Sequence, residues 1–191
     1  MADTKMTKTV GEHWVAAQLA RLGWAPALTR DGLERTDILA VNTMLDRKQI
    51  EVQVKTVNGT GPRTSWPLGE KAQQVELHDR EWFVLVAVPH EVTEPPRSFV
   101  IPRNHVAAAA WIAHMHWLTE PGVPAGRRNA GVGRARVFIE AFLRYENRWD
   151  LLHEPTTAVP VLLPPRMRKQ ASRPEVGLPL GHPWTGSLPE W

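Results

Sequence analysis

Residues Ile50 to Lys55 read IEVQVK, and the strict period of two puts Ile50, Val52 and Val54 on one face of a strand and Glu51, Gln53 and Lys55 on the other. One face is built to pack and the other presents polar groups. The β-branched run extends both ways, so the strand is read over Gln49 to Val57 (QIEVQVKTV). Upstream, Arg35 to Val41 (RTDILAV) reads as a second strand, and the short polar segment NTMLDRK joins the two as an antiparallel hairpin. If the turn closes Asn42 onto Gln49, paired positions sum to about 91, which sets Asp37 opposite Val54 and beside Gln53 and Lys55. A slip of one residue sets it opposite Lys55 itself. Either register gathers a carboxylate, an amide or second carboxylate, and an ammonium into one small patch.

Outward from the hairpin, Val15, Leu19 and Leu22 recur at helical spacing before Gly23, which predicts a helix over about Val10 to Leu22. Trp24 to Thr29 reads as a peripheral strand, because Pro26 has no N–H for a ladder. Trp82 to Val88 (WFVLVAV) is a continuous apolar run, as in a strand covered on both faces, and Ser98 to Ile101 (SFVI) suggests another. After Pro102 and Asn104 a helix runs to about Leu118, with Val106, Ala110, Ala113 and Trp117 on one stripe. Helix, three strands, a linker, two strands and a helix indicate a mixed α/β or α+β domain over residues 1–153. The remaining residues, 154–191, hold eight of the 17 prolines and little apolar periodicity, so they read as an extended or disordered tail, with Trp184 and Trp191 as possible anchors.

Composition narrows the function. There is no cysteine among 191 residues, which removes disulfides, thiolate metal sites and cysteine nucleophiles. The longest apolar runs fall well short of the roughly 20 residues of a spanning helix, and the first residues carry charges where a signal peptide has its apolar core. No membrane partner is expected, and the cytoplasm is the expected location. Net charge is only +3. Arg127, Arg128, Arg134 and Arg136 nevertheless cluster in a glycine-rich stretch with no acid between Glu120 and Glu140, either to grip phosphates or as a solvated loop. No repeat, P-loop, nucleophile elbow, H-E-x-x-H or EF-hand pattern is present. His78, His90, His105, His114 and His116 are too scattered, or point to too many faces, to form a ligand set. Gly131 to Gly133 is a turn signal, and Trp66 beside Arg63 is a packing residue or a base-stacking one.

The hairpin patch suits phosphodiester hydrolysis, in which a divalent ion held by oxygen ligands lowers the pKa of a bound water and neutralises phosphate charge. A neighbouring lysine orients the water and stabilises the transition state. The alternative is an amphipathic hairpin with a cross-strand Asp37–Lys55 pair worth roughly 0.2–1 kcal/mol. Glu12 lies on the stripe of Val15, Ala16 and Leu19 and so points partly inward, toward such chemistry or as half of a capping box with Thr9.

The strings GEHWVAAQLARLGW, TDILAV and IEVQVKT, in this order, resemble the core of PD-(D/E)XK nucleases, the restriction endonuclease-like superfamily, over about residues 10 to 57, with weaker similarity out to WDLL at Trp149 to Leu152. The resemblance implies an αβββαβ core, with Asp37 as the central metal ligand, Gln53 in the acid slot, Lys55 as the catalytic lysine and Glu12 as the helix acid. It further implies Mg2+, for which Mn2+ substitutes, held also by the Val54 backbone carbonyl, and DNA as substrate, with a homodimer suited to cutting both strands. Two departures stand out: Gln53 replaces the usual Glu or Asp, and Thr36 stands where a proline is frequent. An amide is a weaker Mg2+ ligand, and Glu51, about 6.6 Å away along the strand, is the additional acid able to supply the charge. The function implied is a metal-dependent DNA endonuclease of restriction, repair or recombination type. Its rivals are an inactive module of this fold that binds nucleic acid or protein, and an interaction protein that works through its tail.

Overall fold

The polar-and-apolar alternation around Gln53 forms as read. The computed structural model describes residues 4–29, 33–44, 47–124 and 126–191. Along the chain these form α1 (Thr4–Arg21), β1 (Trp24–Leu28), β2 (Ile38–Asn42), β3 (Gln49–Asn58), β4 (Ser65–Pro67), β5 (Glu81–Val88), β6 (Arg97–Pro102), α2 (Arg103–Leu118), β7 (Arg136–Phe138) and α3 (Pro165–Ala171), with 3-10 turns between them. A five-stranded mixed sheet, ordered β1-β2-β3-β5-β6, is antiparallel throughout except for the parallel pair β3 and β5. The chain is therefore a mixed α/β protein of the α+β kind, with helices on its sheet.

Ile50, Val52 and Val54 are buried, whereas Glu51, Gln53 and Lys55 are partly exposed. The hairpin register is offset by one from the expected closure: Val41 faces Gln49 and Ile38 faces Val52. Asn42 explains the offset, because its N–H donates to Lys48 O (2.8 Å) and its Oδ1 accepts the Met44 N–H (2.9 Å), a tight Asx turn that draws the chain back one residue early. Of the turn itself, residues 45–46 lie outside the described residues. β1 is an edge strand, as Pro26 requires, and β5 is buried almost from end to end, as its unbroken apolar run requires.

α1 begins six residues earlier than its apolar periodicity indicates. Its first turns carry lysines, threonines and methionine with no stripe to read, and they are mostly exposed. The helix crosses β3 on the side of the even-numbered residues, at a place where Gly11 lies flat on Thr56: a Cβ at Gly11 would stand 1.9 Å from Thr56 Oγ1. α2 covers the opposite face through Arg103, which reaches Gln53.

Two features depart from the sequence reading. The link from β3 to β5 contains β4 and a 3-10 turn at Glu70–Ala72 but no α-helix, so the helix that an αβββαβ order places between these strands is replaced by a small β4–β7 ribbon. Trp66, on that ribbon, is wholly buried, donates from Nε1 to Val86 O (3.2 Å) and packs edge-on to Phe99 and Phe142, so base stacking is closed to it. The second departure is the proline-rich tail, which is folded onto the body. Leu163, Met167, Ala171 and Val176 are buried, Trp111 Nε1 donates to Val176 O (2.8 Å), and the buried His182 meets Asn104 O (3.0 Å). Its apolar residues are spaced by prolines rather than by a helical or strand period, which is why no pattern announced them.

Candidate active site

β2 does not simply begin at Ile38. Asp37 N–H donates to Val52 O (2.9 Å), the residue that Ile38 faces, so Asp37 and the first residue of β2 both address one residue of β3 in the manner of a β-bulge. Bulges re-aim side chains, and here the Asp37 carboxylate turns onto β3 beyond the end of the ladder. Its Oδ2 accepts the Val54 N–H at 2.8 Å. Because the N–H and C=O of one strand residue point to the same edge, the Val54 carbonyl faces the same gap. The approach to the bulge is fixed by Arg35, whose φ of 76° is a left-handed conformation costing an arginine about 1–3 kcal/mol. Its guanidinium is held by Gln74 Oε1 (3.1 Å), Val75 O (2.7 Å) and Glu81 Oε2 (2.8 Å).

α1 lays Glu12 against this gap. Lys8, one turn earlier, places Nζ 3.2 Å from Glu12 Oε1 and 3.6 Å from Asp37 Oδ1, so both carboxylates converge on one cationic point. Each acid side chain retains only 19% of its exposure. The capping-box reading of Glu12 falls, because Thr9 is in mid-helix and its Oγ1 donates back to Lys5 O (3.0 Å). Lys55 completes the group. Burial holds its ammonium below the ordinary lysine range, Asp37 opposes that shift, and the charges of Lys8, Arg103 and Lys71 add to it.

Gln53 behaves differently from expectation. Its Oε1 accepts from Arg103 Nη2 at 2.9 Å, and since arginine can only donate, the amide orientation is fixed: Gln53 turns its oxygen to Arg103 and keeps its NH2 for other partners. A metal ligand would need that oxygen. Arg103 is 1% exposed, lies over the Phe83 ring and shares Glu81 with Arg35. Burial and the neighbouring Arg35 lower its pKa to about 10, with Glu81 and Glu51 opposing. Two guanidiniums on one carboxylate leave positive charge beside the site, and the neutral amide does not cancel it. Both Glu51 oxygens have other partners: Oε2 accepts from Thr36 Oγ1 (2.6 Å) and Oε1 meets His78 Nε2 (3.1 Å). Burial would raise its pKa, but these hydrogen bonds and the charges of His78 and Arg103 hold it below the usual glutamate value. Thr36, standing in place of a proline, thus anchors that acid.

The arginine cluster divides. Arg128 is committed to Glu120 (2.6 Å), to the Trp117 carbonyl and to the Trp117 ring, and Arg136 to Ser65 Oγ (3.0 Å) and O (2.8 Å). Arg127 and Arg134 are exposed. Arg134 sits on a 3-10 turn pressed against the β3–β5 link: a Cβ on Gly69 would stand 2.4 Å from Gly133 O, and Gln73 Nε2 donates to Val132 O (2.9 Å). Gly131 to Gly133 is therefore more than a turn, since backbone meets backbone there. The same link carries Lys71, paired with Glu34 at 2.8 Å and near enough to Lys55 to lower its pKa.

Among the described residues, no group of three or more His, Cys, Asp or Glu side chains is arranged to hold a metal. Glu12 and Asp37 with the Val54 carbonyl are a smaller set of hard oxygen donors. That set fits Mg2+, which keeps several waters and takes one or two carboxylates, better than any ion needing a full protein cage. Of the residues named from the sequence, Glu12 and Asp37 meet through Lys8 and the Asp37 charge acts on Lys55, while Gln53, on the same strand face as Lys55, turns to Arg103; Lys8, Arg35 and Arg103 were missed. A cation in the first turn of α2, where the helix dipole disfavours it, was the available signal for Arg103. The chain matches no family model, no curated protein and no solved structure.

Proposed function

We propose that this protein is a Mg2+-dependent DNA endonuclease whose site comprises Glu12, Asp37, Gln53 and Lys55. The observation that carries the reading is the convergence of Glu12 and Asp37 on one cationic point, next to a lysine whose charge is partly desolvated. In this reading Glu12, Asp37 and the Val54 carbonyl hold the ion, and Lys8 gives up its place between the acids. The bound ion supplies charge neutralisation on the phosphate and a water of lowered pKa. Lys55 donates hydrogen bonds to the attacking water or to a phosphate oxygen, and partial burial strengthens that contact by limiting screening. Gln53 donates from its NH2 to phosphate, a role that its fixed amide allows while its oxygen is engaged by Arg103. Arg103 and Arg35 make the site positive from beneath, and Lys71 and Arg134 extend that charge outward along the DNA backbone.

The test is cleavage of supercoiled, linear, single-stranded and junction DNA with Mg2+, Mn2+ or EDTA, with Lys55→Ala in parallel. The reading predicts metal-dependent cutting that the substitution lowers by about a thousandfold, within the range of a lost transition-state contact. Equal cutting by Lys55→Ala, or equal cutting in EDTA, contradicts it. One observation favours a second reading, a non-catalytic binding module: Lys8 already bridges both acids, and the Gln53 oxygen is engaged by Arg103. Metal-independent DNA binding with no cutting of any substrate is its signature.

A further inference from the structure

A cavity of about 500 Å3 opens between the last turn of α2, β7 and α3, away from the acids. Val137, Ala141 and Met167 form its apolar floor, and two aromatic rings stand at it half-exposed: Phe138 at 50% and Trp117 at 41%. Phe138 occupies an outward position of a three-residue strand, where ribbon packing asks for no ring. One face of Trp117 is covered by the Arg128 guanidinium, 5.0 Å from its centroid.

The rim is almost entirely of one sign. Arg134, Arg136 and Arg166 reach it from three separate elements, against a single acid, Glu140, which is paired with Arg166 at 2.5 Å. His116 is a donor there as well: Arg173 Nη1 donates to its Nδ1 (3.1 Å), so the neutral ring carries its proton on Nε2. An aromatic wall, an apolar floor and a cationic, donor-rich rim suit a planar ring bearing an anionic group. Among ligands with that chemistry the surface selects a nucleotide in a chain, because Arg134 belongs to the turn that packs on Gly69 and Gln73, two residues either side of Lys71 and its charge near Lys55. A strand leaving the cavity at Arg134 thus passes Lys71, which Glu34 pairs, and Glu70 beside Gly133 on its way to the acids. A paired base is stacked inside its duplex and cannot enter.

We infer that the cavity receives an unpaired base of the DNA strand, with its phosphates on Arg134 and Arg166, so that the favoured substrate carries a single-stranded overhang or flap. The inference rests on the nuclease reading for its substrate, and binding measured in EDTA separates the two. Fluorescence anisotropy of a blunt duplex, the same duplex with a single-stranded overhang, and dAMP as competitor is the experiment. Wild-type protein binds the overhang DNA about tenfold tighter than the blunt duplex, the scale of one base stack. Phe138→Ala removes most of that preference while leaving the circular dichroism spectrum and blunt-duplex binding as they were, Arg134→Ala weakens binding of both DNAs and of the overhang DNA more, and Lys55→Ala retains the preference. Equal affinity for the two DNAs, a preference untouched by Phe138→Ala, or competition by dAMP as strong as by the overhang strand overturns the inference. A preference that persists in a protein unable to cut any DNA overturns the nuclease and leaves the cavity assignment standing.

Discussion

Asp37 does two things with its two oxygens, and they separate by substitution. Oδ2 accepts the Val54 N–H where the β2–β3 ladder has ended, and Oδ1 faces Lys8 beside Glu12. Removing the side chain leaves a buried N–H without its acceptor, so Asp37→Ala should cost about 1–3 kcal/mol by chemical denaturation. Asp37→Asn keeps an oxygen for Val54 and should remain within about 1 kcal/mol of wild type. Equal destabilisation by both variants contradicts the assignment. Asp37, Gln53 and Lys55 were legible because a period of two puts alternate residues on one face whatever the register. The orientation of the Gln53 amide was not legible, since it depends on Arg103, fifty residues away and recruited only when α2 caps the sheet. Lys8 was hidden for a different reason, lying in helical turns with no apolar stripe.

At the scale of elements, the position of the acids relative to the sheet depends on how closely α1 approaches β3, and Gly11 sets that distance. Helix propensity alone favours alanine there by about 1 kcal/mol. Contact argues the other way, because the new methyl would lie 1.9 Å from Thr56 Oγ1 and 2.9 Å from its Cβ. Gly11→Ala should therefore lower the melting temperature and weaken any activity that needs Glu12 beside Asp37. Adding Thr56→Ala removes the nearer atom and should recover part of both losses. A single variant as stable as wild type would show that the helix is not seated as described. The strands and both long helices were readable from periodicity and from Pro26, Gly23 and Pro102. The β4–β7 ribbon was not, because two three-residue strands carry too few positions to show a period, and their pairing joins segments about seventy residues apart.

Across the whole molecule, the tail and the body share one buried polar cluster. The Tyr145 hydroxyl accepts the Leu162 N–H (2.8 Å) and shares a hydrogen bond with His105 Nδ1 (2.8 Å), while His105 packs 5.1 Å from the Trp184 ring. Burial, reinforced by nearby His182, pushes the His105 pKa down to about 3, and burial lowers His182 as well. An unfolded histidine takes up a proton near pH 6.5, whereas the folded one resists it until far lower, so acid favours the unfolded chain. Stability should be complete above about pH 7.5 and fall by about 2 kcal/mol by pH 5 from His105 alone. His105→Gln should flatten that part of the profile in urea denaturation; an unchanged slope would contradict a buried neutral imidazole. The folded tail also changes what truncation means. Loss of residues 155–191 would uncover α2 along Trp111 and Asn104, so a shortened chain reports on folding rather than on the site.

The central claim is that Asp37 and its neighbours perform metal-dependent chemistry, and Asp37→Asn tests it with the fold held constant. The measurement is Mg2+-dependent DNA cleavage by wild type and by Asp37→Asn, with denaturation curves of both proteins. The account predicts coincident curves and cleavage lost in the variant; coincident curves with undiminished cleavage would contradict it.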